Sequence, residues 1–308
     1  MKKALYLPAA LLAAILIVAG CSQSGKQRSF ASADEATTAL LAAVQSGDRN
    51  QMLDVFGPGA EGLIGSGDSL ADARDRAQFL AMYEAKHSLV PEGDARMTLV
   101  VGENDWPLPI PIVKRAGRWY LDGAAGADEL AARRIGRNEL GAIAVCRGFV
   151  RAQRDYSAQA RDGAPAGVFA VKLLSDPGSH NGLYWPIADD EAPSPVGPWI
   201  AQAAAEGYRA GGGSSSPYHG YLYRMLFKQG AHAEGGAADY FDHGQLVGGF
   251  ALIAWPAQHN VSGVQTFIVN QAGVVYQKDL GEETAAAVEG IDAFDPDASW
   301  SAVSDSLE

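Results

Sequence analysis

The sequence predicts an α+β fold in two parts, each with helices ahead of a small antiparallel sheet. Three observations carry this. Capped, amphipathic stretches fill residues 32–86, with apolar residues at three- and four-residue steps. The pattern then shortens to the alternation of strands between Arg96 and Asp122. The cycle then repeats: a long helical stripe begins at Arg137, and strand-like runs follow between Tyr218 and Lys278.

Taken in order, Ser32–Val44 is the first expected helix. Ser32 can cap it, Glu35 stands three residues on, and Leu40, Leu41 and Val44 form its apolar face. Gly47-Asp48 ends it, and Arg49–Phe56 forms a short second helix that stops at Gly57-Pro58. Ala60–Ser69 reads as a glycine-rich loop, with Ser66-Gly67-Asp68 as a turn, since it lacks the Gly-x-Ser-x-Gly frame of a nucleophile elbow. Leu70–Lys86 is a third helix anchored by Phe79, Met82 and Tyr83. Arg96–Val101 and Arg118–Asp122 read as strands. Leu108–Lys114 reads as an extended edge, because Pro107, Pro109 and Pro111 remove backbone donors.

In the second part, Arg137–Gln159 is the longest expected helix. Leu140, Ile143, Cys146, Val150 and Gln153 share its buried stripe, and Arg147, Arg151 and Arg154 fall largely off it. Gly/Pro-rich segments fill Asp162–Pro198. A helix at Ile200–Gly207 runs into the flexible Gly211–Ser216 tract. Tyr218–Phe227 and Gly249–Trp255 read as strands, and Val264–Asn270 with Val274–Lys278 as a hairpin around Gln271-Ala272-Gly273. Gly290–Trp300 is expected to be a polar loop. The domain boundaries expected are 1–20 for a leader, 21–29 for a polar tether, 30–130 and 131–303 for the two folded parts, and 304–308 for a tail.

The N-terminus sets the expected location. Lys2 and Lys3 precede an apolar run, Ala4–Gly20, which ends in Val18-Ala19-Gly20-Cys21. A basic start, a short apolar core and small residues at the cut are the parts of a secretory signal. The run is at the lower limit for a membrane span and has no basic flank after it. Small residues directly before a cysteine resemble the bacterial lipobox. That resemblance implies a lipid on Cys21 as the new N-terminus, and Ser22 in place of Asp implies sorting to the outer membrane, facing the periplasm. Loss of Lys2 and Lys3 with the leader takes the net charge from −12 to −14. So acidic a surface argues against nucleic acid and against anionic lipid surfaces, which leaves the acyl chains as the link to the membrane. Once Cys21 is lipidated, Cys146 is the one other cysteine, no intramolecular disulfide can form, and a buried position is expected for it.

Several segments carry resemblances. Helices followed by a meander ending in Gly117-Arg118-Trp119-Tyr120-Leu121-Asp122 look like cystatin-like or nuclear-transport-factor-like cone folds. Asn138-Glu139-Leu140 opening a long helix, Ala152-Gln153 and Tyr156 near its end, and Ser262-Gly263-Val264-Gln265-Thr266-Phe267 resemble the globular part of type IV pilins and pseudopilins. The greasy stem by which pilins assemble is missing, and a separate domain stands in its place. The mature chain as a whole is similar to an uncharacterised bacterial lipoprotein family, domain of unknown function 2950. The matching segments are Trp106–Pro111, Arg133–Leu140, Gly182–Pro186, Pro193–Pro198 and Pro217–Tyr221. The likeness implies an envelope location and brings no activity.

No residue pattern specifies a reaction, a cofactor or a metal. His87, His180, His219, His232, His243 and His259 include no i, i+4 pair of the kind metal helices use. His232 and His243, with Glu234, Asp239 and Asp242, fit either a weak metal site or a polar loop. Gly211-Gly212-Gly213 lacks the lysine of a phosphate loop, and Asp295-Pro296-Asp297 lacks EF-hand spacing. Arg133, Arg134, Arg137 and Glu139 form the most charged knot, readable as an anion clamp or as an ion-pair strut between domains. Tyr184, Trp185, Tyr218 and Tyr221, with Trp199 and Tyr223, sit among Pro and Gly. They either line a groove for an envelope protein or glycan or pin long loops to the core. The sequence therefore points to an envelope lipoprotein that binds a partner without catalysis. The alternatives are a hydrolase or isomerase using carboxylates such as Asp239 and Asp242, and an accessory to pilus or secretion machinery.

Overall fold

The N-terminal part of the molecule is a helical layer on an antiparallel sheet, seen in a computed structural model that describes residues 27–186, 193–205 and 217–304. The expected leader, Cys21 and most of the tether, the Gly211–Ser216 tract and the last four residues lie outside the described residues. Among those described, no helix is long and apolar enough to cross a membrane.

Helix α1 (Ala33–Ser46) starts where Ser32 Oγ accepts from Glu35 N–H at 3.1 Å, while the Glu35 carboxylate accepts from Ala31 N–H at 2.9 Å. Gly47, with φ 64°, closes it. Asp48 caps α2 (Arg49–Phe56). A single turn, α3 (Glu61–Ile64), interrupts the stretch expected to be loop, and α4 (Ser69–Ala85) follows, capped by Asp68. The sheet comprises β1 (His87–Pro91), β2 (Arg96–Val101), β3 (Trp106–Pro107), β4 (Ile112–Arg115) and β5 (Arg118–Leu121). It runs β1-β2-β4-β5, with β3 also on β2. The edge expected at Leu108–Lys114 is split, because Pro109 and Pro111 supply no donor. Only Leu108 N–H, at 2.8 Å from Leu99 O, continues the pairing between β3 and β4.

The long helix differs most from expectation. α5 spans Gly123–Ser157, 35 residues and about 52 Å, so it starts fourteen residues before Arg137 and runs across the expected boundary at 130/131. Asp122 caps it, and its early glycines are contact points. A Cβ on Gly123 would lie 2.7 Å from Phe56 O, and one on Gly126 2.5 Å from Pro109 O. Close backbone approach thus explains glycines inside a helix.

Beyond α5 come α6 (Gly197–Ala205), β6 (Tyr221–Leu226), β7 (Lys228–Gln229), β8 (Ala238–Asp239), β9 (Phe241–Asp242), β10 (Gln245–Leu246), β11 (Ala251–Pro256), β12 (Gln265–Asn270), β13 (Val275–Asp279), α7 (Thr284–Glu289) and β14 (Ser301–Ala302). The main sheet is antiparallel throughout, in the order β14-β13-β12-β11-β6. α5 packs on β11, β12 and β13, burying Ala142, Ile143, Cys146, Phe149, Val150 and Gln153. Leu140 leaves the expected stripe: it is 51 % exposed, because Asn138 and Glu139 turn toward the 258–265 segment at that level of the helix. Cys146 is fully buried, and burial pushes its thiol pKa up to about 12.

Two hydrophobic cores result among the described residues. One gathers residues from Phe30 to Leu121 and the other residues from Ala142 to Phe294. The stretch of α5 between them carries Arg133 to Glu139.

Candidate functional site: an apolar cavity beneath the fourth helix

Helix α4 docks through a few apolar side chains but does not seat fully. None of its seventeen residues is buried, although Phe79, Leu80, Met82 and Tyr83 lean on the N-terminal core. Protein interiors normally close such gaps to crystal-like density. Here a cavity of about 550 Å³ remains between α4 and the rest of the domain. Its floor is apolar: Leu40 and Val44 from α1, Met52 and Phe56 from α2, Val101 from β2, and Leu108 and Ile110 from the split edge. Phe79 and Met82 line the α4 side, and Leu130 and Trp106 complete the wall. The volume falls within the range of about 300–1,000 Å³ usual for small-molecule sites.

The rim is charged. Asp72, Asp75 and Arg76 come from α4, Glu103 from the loop after β2, and Arg133, Arg134 and Arg137 from successive positions of α5. Arg133 Nε donates to Glu129 at 2.7 Å, and the guanidinium stands 5.5 Å from the Trp106 ring centre. Arg137 Nη2 donates to Asp75 Oδ2 at 2.6 Å. Arg134 has carbonyl partners instead: Gly62 O at 2.8 Å and Val261 O at 2.9 Å, one from each part of the molecule. Burial lowers its pKa, against the pull of Asp72 and Asp75. Asp72 is taken by Ser66, whose backbone N–H and hydroxyl both donate to it. Glu139 points the other way and accepts from Val264 N–H at 2.9 Å and Gln265 N–H at 3.0 Å. The charged knot is thus divided: three arginines face the cavity and the glutamate grips the second part.

The aromatic residues do not share a surface. Tyr221 is fully buried, with its hydroxyl donating to Gln265 O at 2.9 Å, and Trp185 is 4 % exposed beneath Arg161. The expectation that these two rings face a partner is corrected: each is large enough to be worth more inside the core than at its edge. Tyr184 and Tyr218 are half-buried. Tyr184 pairs through its backbone with Leu173 and Ser175, and Tyr218 packs edge-on against His219.

The carboxylates and histidines of the second part also stay apart. His232 pairs with Asp295 at 3.1 Å, which raises its pKa, and His243 pairs with its neighbour Asp242 at 2.7 Å. The Asp239 carboxylate accepts from Phe241 N–H. Among the described residues no group of three or more His, Cys, Asp or Glu side chains could hold a metal ion. Arg76 was not visible as a site residue in the sequence. The residues it shares the cavity with run from Leu40 to Arg137, and nothing in the spacing connects them.

No curated protein and no solved structure matches this chain. The family described as protein of unknown function DUF2950 matches residues 27–303, which takes in both cores and the whole of α5, and the chain belongs to that family.

Proposed function

We propose that this is a lipid-anchored protein of the cell envelope that binds an apolar small molecule, without catalysis, in the cavity beneath α4. The observation that supports this best is the cavity itself: about 550 Å³ of apolar-lined space against a helix with no buried residue. A ligand filling it would bury the inner faces of Phe79 and Met82 and supply the dispersion contacts the empty wall lacks. The expected anchor fits such a role. Acyl chains on Cys21 hold the domain within reach of apolar material, while a net charge of −14 in the mature form keeps the protein body off anionic lipid surfaces.

The test uses the mature chain without its leader, residues 21–308 with Cys21→Ala, which carries neither lipid nor the apolar run and needs no detergent. Titration with the neutral probe N-phenyl-1-naphthylamine should give saturable fluorescence at one site per chain. Met82→Trp, which places a larger ring on the α4 wall, should weaken that binding at least tenfold while the thermal midpoint holds or rises. Absence of saturable binding, or equal binding by Met82→Trp, overturns the reading. The anchor has a separate check: labelled palmitate should enter the wild type, and Cys21→Ala should lose the label.

A further inference from the structure

The cavity is apolar on its floor, yet two of its rim cations have no anion in contact. Arg76 forms no ion pair or hydrogen bond among the described residues. Its guanidinium rests beside Gly47, about 3.8 Å from where a Cβ would stand there, at the carbonyl end of α1. That end carries only a partial negative charge, a weak partner for a full cation. Arg134 has two carbonyl partners and no carboxylate within 4 Å. The rim carboxylates are engaged or turned outward. Asp72 accepts from Ser66, Asp75 pairs with Arg137, and Glu103 is exposed, with Lys86 as its charged neighbour. In a chain of net charge −12, two such guanidinium groups, one from each helix flanking the same apolar space, form a localised anion-attracting rim.

Resting on the binding reading above, we propose that the occupant is a single-chain fatty carboxylate, its alkyl tail on the floor formed by Leu40, Val44, Phe56 and Ile110 and its head between Arg76 and Arg134. A guanidinium–carboxylate contact offers paired, charge-assisted hydrogen bonds, and the partly desolvated setting of Arg134 strengthens them relative to water. A cationic amphiphile would meet the same arginines with repulsion, and a neutral one would leave both heads uncompensated.

Displacement of bound N-phenyl-1-naphthylamine from the leaderless Cys21→Ala chain separates the outcomes. Palmitate should displace the probe at a concentration at least tenfold below that needed by hexadecanol. That ratio should shrink in 0.5 M salt and approach one in Arg76→Gln, with Arg76→Lys restoring part of it. Arg134→Gln also removes a tie between the two parts, so Arg76 carries the test and circular dichroism melting confirms that each variant is folded. Equal displacement by palmitate and hexadecanol in the wild type, with the probe bound, overturns the carboxylate assignment and leaves the apolar site standing. The same holds if Arg76→Gln keeps the full preference. A chain that binds neither the probe nor palmitate overturns both.

Discussion

At the scale of single residues, Gly148 sets two effects of opposite sign against each other. It lies buried in the interior of α5, where glycine costs about 1 kcal/mol relative to alanine. Propensity alone therefore makes Gly148→Ala stabilising. A Cβ at this position would, however, stand 1.2 Å from Trp199 Cη2, so the indole would have to leave its seat. Overpacking of this kind costs about 1–3 kcal/mol, and we expect a net loss near 1 kcal/mol by denaturant unfolding. The sign should reverse in a Trp199→Ala background, and Gly136→Ala, on the same helix with nothing within 4 Å, should gain about 0.5–1 kcal/mol. His232 supplies a pH-dependent case. The hydrogen bond and charge of Asp295 raise its pKa above the ordinary 6.5. A raised folded value means the pair's stabilisation is fully present below 6.5 and is lost as pH rises through the folded value. A proton NMR titration should place the His232 midpoint above 6.5, and Asp295→Asn should return it toward that value. An unshifted wild-type midpoint would refute the pairing.

At the scale of elements, α1, α2, α4, β2 and β5 lie within about two residues of where caps and alternation put them, because their signals are local. Ser32, Asp48 and Asp68 each accept from a backbone N–H three residues on. The elements that could not be read carry no pattern of their own. β1 is exposed at four of its five positions, so it shows no alternation, and it exists through pairing with β2, the next strand. The first fourteen residues of α5 lie outside the expected helix, and their early glycines find a reason only where Phe56 and Pro109 stand against Gly123 and Gly126. The cavity was illegible for the same reason, since its floor, lid and rim come from residues 40 to 137 and no single stretch announces a void. Phe79 and Met82 were recognisable as apolar anchors, but the sequence does not show that the surface they face is left partly empty. α4 should accordingly be the least protected of the long helices. With no buried residue, its amides should exchange with solvent well ahead of those of α1, and a bound apolar ligand should slow them selectively. Equal exchange in α1 and α4, unaltered by ligand, would contradict the loose seating of α4.

At the scale of the whole molecule, the question is whether two hydrophobic cores make two folding units. Separate cores of this size usually unfold independently when few contacts cross between them. Here α5 is a continuous part of both, and the crossing contacts gather around its middle. Arg134 joins Gly62 O to Val261 O, Asn138 Nδ2 donates to Ser262 O at 2.9 Å, and Gly220 N–H donates to Asp68 Oδ2 at 3.3 Å. Asn138 is 7 % exposed, so losing its partner would leave a buried carbonyl unsatisfied, at a cost of about 1–3 kcal/mol. Fraying either end of α5 therefore strips support from the opposite core, and we expect one cooperative calorimetric transition in the wild type. Gly136 stands in the bridging stretch, with open space around it, so Gly136→Pro would cut the helix without disturbing either core. A proline there removes one backbone hydrogen bond and clashes with the preceding turn, costing about 3 kcal/mol or more. The transition should then split in two, with the N-terminal part, whose α4 seats loosely, melting first and responding alone to the cavity ligand. Two transitions in the wild type would instead mean that α5 is a tether between independent units, and that occupancy of the cavity is not felt beyond Arg134.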